Sequence, residues 1–224
     1  MFTGKKNIPN HEYSMGDSIL QEVKHHPYLG VELSSDLTWS KHINQSVNSA
    51  NKILGLIKRN FWNCASSARE TAYKALVRPK LEYASVIWDP HQKIHTESLE
   101  KVQRRAARFV KNEYSRFSSI TDMLKDLNWD TLENRRFKAR LVTIYKETHG
   151  LIPSNINNLL EDKEKPTTRQ SHSLNYKIPQ AQKNCYKYSL YPRTIPQWNA
   201  LPPDLKSAPN TASFKLMLGS QQHH

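Results

Sequence analysis

From residue 38 onward the apolar residues recur at helical intervals. Ile43, Val47, Ala50, Leu54, Ile57 and Phe61 stand 4, 3, 4, 3 and 4 residues apart, which is one stripe of a long amphipathic helix. Thr38 is suited to cap it. A second helix is predicted from Ser67, with Glu70 completing a capping box. Ala72, Leu76, Leu81, Ala84 and Trp88 lie along it, Pro79 predicts a kink or break, and Asp89-Pro90 ends it. A third helix starts near Thr96 and buries Leu99, Val102, Ala106 and Phe109. A short fourth runs from about Ser119 to Leu127. A fifth is capped by Asp130 with Glu133, carries Phe137, Leu141, Ile144 and Thr148 on one face, and stops at Gly150.

The flanks read differently. Before residue 38, Ile19–Val23 and Tyr28–Leu33 are short apolar runs separated by His25-His26-Pro27, a plausible strand pair. A lone hairpin is marginal in water and needs something to lean on. Beyond Gly150, Glu161–Thr168 is charged and reads as linker. Leu174, Tyr176 and Ile178 alternate, as do Tyr186, Tyr188 and Leu190, which predicts two strands. Pro192, Pro196, Pro202 and Pro203 predict turns around Trp198, and Phe214–Leu218 a last short helix. The predicted fold class is mainly α: a helical bundle with a small β-hairpin at the N-terminus and short strands in the C-terminal region. Its segments are 1–37, 38–150 and 151–224.

Composition sharpens this picture. The 224 residues carry 33 Lys+Arg against 20 Asp+Glu, a formal net charge of +13. Residues 1–37 are net −2, residues 38–60 net +4, and every later segment stays positive. The excess therefore begins with the first helix, and an anionic partner follows from it, nucleic acid before a membrane surface. Only 37% of residues are hydrophobic, below the usual ~45–50%, so the core is thin. Cys64 and Cys185 cannot form a disulfide framework. With a polar start and no long apolar run, the expectation is a chain inside the cell, nucleus or cytoplasm unresolved, and off the membrane. Six singly scattered glycines exclude a glycine-rich phosphate loop.

Few residues invite catalysis. The acids are isolated or start helices, and the adjacent pair Glu161-Asp162 lies in the charged linker. His91 and His95 fall on a predicted connecting loop, with no third ligand in a zinc-type pattern. Cys64 has no base within its sequence neighbourhood. No catalytic residue, metal, cofactor or small-molecule substrate is predicted. The strongest constellation is the third helix, where Lys101, Arg104, Arg105, Arg108 and Lys111 fall at i, i+3, i+4, i+7 and i+10, behind Glu97 and Glu100 in its first turn. Such a face can track phosphates; the alternative is a solvated face with Lys101 and Arg104 paired to the two glutamates. Tyr176, Tyr186, Tyr188, Tyr191 and Trp198 interleave with Lys177, Lys183, Lys187 and Arg193, either as stacking surfaces or as a small tyrosine-rich β core.

Several runs resemble one family. Tyr28-Leu29-Gly30-Val31, with Leu33, Leu37, Trp39, His42 and Ile43, is followed by Ala72-Tyr73-Lys74-Ala75-Leu76-Val77-Arg78-Pro79, Leu81-Glu82-Tyr83-Ala84-Ser85 and Trp88-Asp89-Pro90. Val102-Gln103-Arg104-Arg105-Ala106-Ala107-Arg108-Phe109, Arg135-Arg136, Ala139-Arg140-Leu141 and His149-Gly150-Leu151 come next. Pro192-Arg193-Thr194-Ile195 and Trp198-Asn199 close the series. In order and spacing these resemble the C-terminal part of reverse transcriptases (RNA-directed DNA polymerases) from LINE-type, non-LTR retrotransposons of the jockey or CR1 branch.

The resemblance implies that Tyr28, Leu29, Gly30 and Val31 belong to a primer-grip-like strand pair at the end of the catalytic palm. It implies that residues 38–150 form a thumb-like helical region holding a primer–template duplex. The family's Asp-Asp motif is missing throughout this sequence, so the expectation is a truncated, non-catalytic piece of a transposable element. Its partner would be RNA–DNA hybrid or duplex, contacted through phosphates without sequence preference, and a polymerase palm supplied in trans. The rival readings are a protein-interaction module and a decayed element copy with no selected activity.

Overall fold

The computed structural model describes residues 12–152 and 174–220. The charged stretch around Glu161–Thr168 lies outside them. In chain order the elements are strands β1 (Ser14–Met15), β2 (Ser18–Ile19), β3 (His25–Tyr28) and β4 (Val31–Ser34). Helices α1 (Ser40–Asn60) and α2 (Ser66–Ala72), a π-helical segment (Tyr73–Val77), α3 (Arg78–Glu82), α4 (Ser85–Trp88) and α5 (Lys93–Lys111) follow. Then come α6 (Ile120–Asp126), α7 (Leu132–Thr148), α8 (Asn184–Lys187), α9 (Leu190–Asn199), α10 (Pro203–Lys206) and α11 (Thr211–Ser220). The fold is mainly α with small antiparallel hairpins. The described residues divide into two compact units, one drawn from Met1–Leu81 and Gln92–Ser118, the other from Glu82–His91 and Ser119–His224.

In the first unit α1 packs on α5 and on the π-helical segment, and α2 packs on α5. The α1 stripe buries Ile43, Ala50, Leu54 and Ile57, and α5 buries Leu99, Val102, Ala106, Phe109 and Val110 against this side. The helix starts as Trp39 takes the cap position, one residue later than Thr38; the Thr38 hydroxyl and N–H both bond Asp36 instead. The Ser67–Glu70 capping box does not form: α2 begins at Ser66, and Ser66 Oγ donates to the Val110 carbonyl.

Pro79 disturbs the second helix upstream of itself. A proline lacks the N–H that would close onto residue 75, and the chain widens to the π-helical turn over Tyr73–Val77. The helix then ends at Glu82, and Ala84, in left-handed conformation (φ 52), opens the short α4.

The N-terminal strands form two hairpins, β1 with β2 and β3 with β4. His25-His26-Pro27 is itself part of strand β3, Pro27 lying opposite Glu32, rather than a separator between strands. Its missing donor is tolerated because β3 is an edge strand. The β3–β4 turn is Leu29-Gly30, with φ 47 and 79, the two-residue geometry whose twist suits a hairpin. This hairpin leans on α1: Val31 and Ser34 are buried, the Glu32 N–H donates to His42 Nδ1 (3.2 Å), and Lys41 pairs with the Glu32 carboxylate.

In the second unit α7 packs on α4, α9 and α11. Leu141, Ile144, Tyr145, Tyr176, Ile195, Trp198, Leu205, Phe214 and Leu218 make its core. Thr131 rather than Asp130 caps α7, accepting from the Asn134 N–H, while Asp130 binds Lys138 and the Asn134 side chain. Gly150 (φ 65) ends α7, with its N–H on the Glu147 carbonyl and the Leu151 N–H on Lys146, the paired closure that favours glycine there.

Among the described residues neither C-terminal strand forms, beyond a single β-bridge position at Tyr176. Tyr186 lies in α8 and Leu190 opens α9. Around Tyr176 the backbone also bonds side chains: Asn199 accepts from the Tyr176 N–H and donates to its carbonyl, and Trp198 Nε1 donates to the Leu174 carbonyl. Pro192 and Pro196 are helical rather than turn residues. Pro192 sits in the first turn, where an N–H has no partner to lose, and burial of Ile195 and Trp198 outweighs the cost of Pro196. The last helix is longer than its Phe214–Leu218 core, spanning Thr211–Ser220.

Candidate nucleic-acid interface

The basic helix is held by its inward face. Besides the apolar stripe, that face buries Gln103, whose Oε1 accepts from the Tyr73 hydroxyl at 3.1 Å. With about 100° per residue, the buried positions and the five cations occupy opposite arcs, and the cations span roughly 120°. Lys101, Arg105 and Lys111 are exposed, and Arg104 and Arg108 half-buried. The helix begins at Lys93, earlier than Thr96, so His95 is helical and Glu97 and Glu100 sit beyond the first turn. His95 Nε2 lies 3.0 Å from Ser40 Oγ, tying the starts of α5 and α1 together. The C-terminus closes at Asn112 (φ 52), with its N–H on Phe109 and the Glu113 N–H on Arg108. Arg108 and Lys111 sit in this last turn, where cations suit the helix dipole.

The five cations are not equally available. Arg104 is paired with Glu97, one of the two acids expected to offer such a solvated partner. A pair exposed on both sides is worth little, ~0–1 kcal/mol, and yields readily to a phosphate. Arg105 donates to Asn51 Oδ1 of α1 at 3.1 Å, and Arg108 to the Ser115 carbonyl at 3.0 Å. Each guanidinium has five donors, so both stay oriented and keep donors for a ligand. Lys58, near the end of α1, adds to this side: burial, with Arg105's charge beside it, pushes its ammonium below the ordinary value.

The hairpin residues are placed on the same unit. Tyr28 is exposed, Leu29 is 75% exposed at the tip, Gly30 completes the turn, and Val31 is buried. Both candidate sets are mounted on α1, the hairpin at Lys41 and His42 and α5 at Asn51. About nine residues of helix separate those points, roughly 14 Å.

The tyrosine-rich C-terminal set splits. Tyr176 and Trp198 are buried in a helical core rather than a β core, Tyr191 donates to Glu147, and Tyr186 is exposed. Tyr188 stacks on His91 with ring centroids 3.9 Å apart.

One charged cluster is not foreshadowed by the sequence. Asp89, just past α4, accepts from Arg136 Nε (2.7 Å) and from Arg140, and Arg193 stands 3.2 Å away. The Arg136 and Arg140 side chains are only 1% and 4% exposed. Burial, with Arg193 beside it, pushes the Arg140 guanidinium down to about 9. The i, i+4 spacing of Arg136 and Arg140 is the one sequence signal, but an arginine pair on a helix reads as solvent-facing until an acid is brought to it from elsewhere in the chain.

Among the described residues no group of three His, Cys, Asp or Glu side chains gathers to hold a metal, and no helix is long and apolar enough to cross a membrane. Cys64 is half-buried and Cys185 exposed, both as free thiols. No protein-family model matches the chain, and neither does any curated protein or solved structure.

Proposed function

We propose that this protein binds duplex or hybrid nucleic acid through its phosphates, using Lys101, Arg104, Arg105, Arg108 and Lys111. The observation that carries the reading is the division of α5 into a fully buried arc and an opposed basic arc anchored by Asn51 and Ser115. A helix so fixed presents its cations at set spacing, which lowers the cost of ordering them on a phosphate backbone. Bonds of this kind position a duplex without reading its bases. The resemblance to the duplex-holding part of LINE-type reverse transcriptases supports the same assignment. It extends the reading to a non-catalytic role in which the Tyr28–Val31 hairpin lies beside the primer end.

Replacing Lys101, Arg105 and Lys111 by Gln removes exposed charge and leaves the buried arc intact. Filter binding at several salt concentrations should show weaker binding and a log–log salt slope shallower by ~0.7–0.9 for each phosphate no longer neutralised. Unchanged affinity and slope would remove α5 from the interface.

A second reading rests on a different observation. Met15, Ile19, Tyr28 and Leu29 are exposed on the hairpins, and a shallow groove of about 510 Å³ between Phe61, Ala68, Ala72, Ala75 and Leu76 is mostly apolar. Contiguous exposed apolar surface marks protein-binding sites. Sedimentation separates the two: self-association without nucleic-acid affinity favours the interaction module.

A further inference from the structure

The loop after α5 carries two aromatic rings that the core does not use. Phe117 is 98% exposed, more than any other large hydrophobic side chain among the described residues, and Tyr114 is 49% exposed. The loop that bears them is fastened to the basic helix. Asn112 turns the chain off α5, Glu113 accepts from the Ser115 N–H (2.9 Å), the Phe117 N–H donates to Ser115 Oγ (3.2 Å), and Arg108 holds the Ser115 carbonyl. Lys58 Nζ lies 5.9 Å from the centre of the Tyr114 ring. Lys58 thus faces the Tyr114 ring, Arg108 holds the loop that carries both rings, and Lys111 and Arg116 flank Tyr114 in sequence. The loop's acid, Glu113, is held ionised by its bonds to the Ser115 N–H and to Ser118, with Arg108 adding a smaller pull.

A fully solvated phenylalanine contributes nothing to folding, whereas exposed rings interleaved with cations are what unpaired bases bind: the rings stack on bases and the cations hold the backbone. We infer that Tyr114 and Phe117 form a stacking platform for unpaired nucleotides, placed where a duplex held by α5 gives way to single strand. The ligand is nucleic acid with a duplex–single-strand junction. This rests on the proposed phosphate binding by α5 and extends it.

The test compares a blunt RNA–DNA hybrid with the same hybrid carrying a single-stranded overhang, using the whole chain. Wild type should prefer the overhang by about tenfold, the order expected for one base–aromatic stack. Phe117→Ala should abolish that preference, and Phe117→Trp should keep it and show fluorescence quenching only with the overhang. The blunt hybrid, measured in the same preparations, reads the α5 face alone. Salt-sensitive binding of both probes with no overhang preference, or a preference that survives Phe117→Ala, overturns the platform and leaves the α5 reading standing. Failure to bind either probe overturns both.

Discussion

Asp89→Asn is the sharpest single perturbation of the fold. The carboxylate faces three guanidinium groups, bonding Arg136 Nε at 2.7 Å and Arg140, with Arg193 3.2 Å away. Two unit charges about 4 Å apart attract by roughly 4 kcal/mol at an effective dielectric constant near 20. Most of that gain offsets the cost of taking Arg136 and Arg140 out of water. Removing the acid keeps the cost and deletes the gain, and it leaves the arginines repelling one another without compensation. Loss of one partner from a buried pair costs about 3–5 kcal/mol, and that range is expected here. Arg193→Gln should cost far less, ~1–2 kcal/mol. Its side chain is partly exposed, and its removal relieves repulsion on Arg140. Urea unfolding followed by tryptophan fluorescence measures both, since Trp88 adjoins Asp89 and Trp198 adjoins Gln197, which accepts from Arg140. A cost below about 1 kcal/mol for Asp89→Asn, as for a surface pair, would refute the buried cluster.

Two further outcomes test the first unit. Burial holds the His42 imidazole below its ordinary 6.5, and Nδ1 must be unprotonated to accept from the Glu32 N–H. The unfolded chain therefore takes up this proton first, so the contribution is complete above the ordinary value of 6.5 and is lost as pH falls below it. Urea midpoints should drop on acidification, and less so in His42→Gln; identical pH profiles would reject the role. Leu29 sits at φ 47 with its side chain in water, so Leu29→Asn should raise stability by about 1 kcal/mol. Thermal or urea unfolding would show it, and a loss of stability would mean that the leucine packs on something.

The helices were legible because periodicity reports burial directly: all four α5 positions of the stripe are buried, as are Ile43, Ala50, Leu54 and Ile57 of α1, while Val47 is half-buried and Phe61 falls just past the helix end. Capping positions were not: Thr38 and Asp130 each had a rival bond nearby, and at the second helix it is the neighbouring Ser66 that packing ties to Val110. The C-terminal strands failed for a related reason. Alternation over five residues at Tyr186–Leu190 is too short to outweigh the burial of Ile195 and Trp198, which drew the chain into α9. On the interface, the basic spacing of α5 could be read from sequence. The Arg104–Glu97 pairing is one of the two outcomes the spacing offered, whereas the full extent of the buried arc and the aromatic loop beyond Asn112 depend on bonds across the chain. Asp89 and its arginines come together from positions 89, 136, 140 and 193, a convergence that no local pattern encodes.

The central claim is that α5 holds nucleic acid through its phosphates, and the salt dependence of wild-type affinity for a blunt RNA–DNA hybrid tests it most directly. Taking about four of the five cations as phosphate contacts sets a slope of about −2.8 to −3.6. Affinity should fall roughly 50- to 150-fold between about 50 and 200 mM salt. Affinity that is flat across that range, or no binding at the lower salt, would contradict the account.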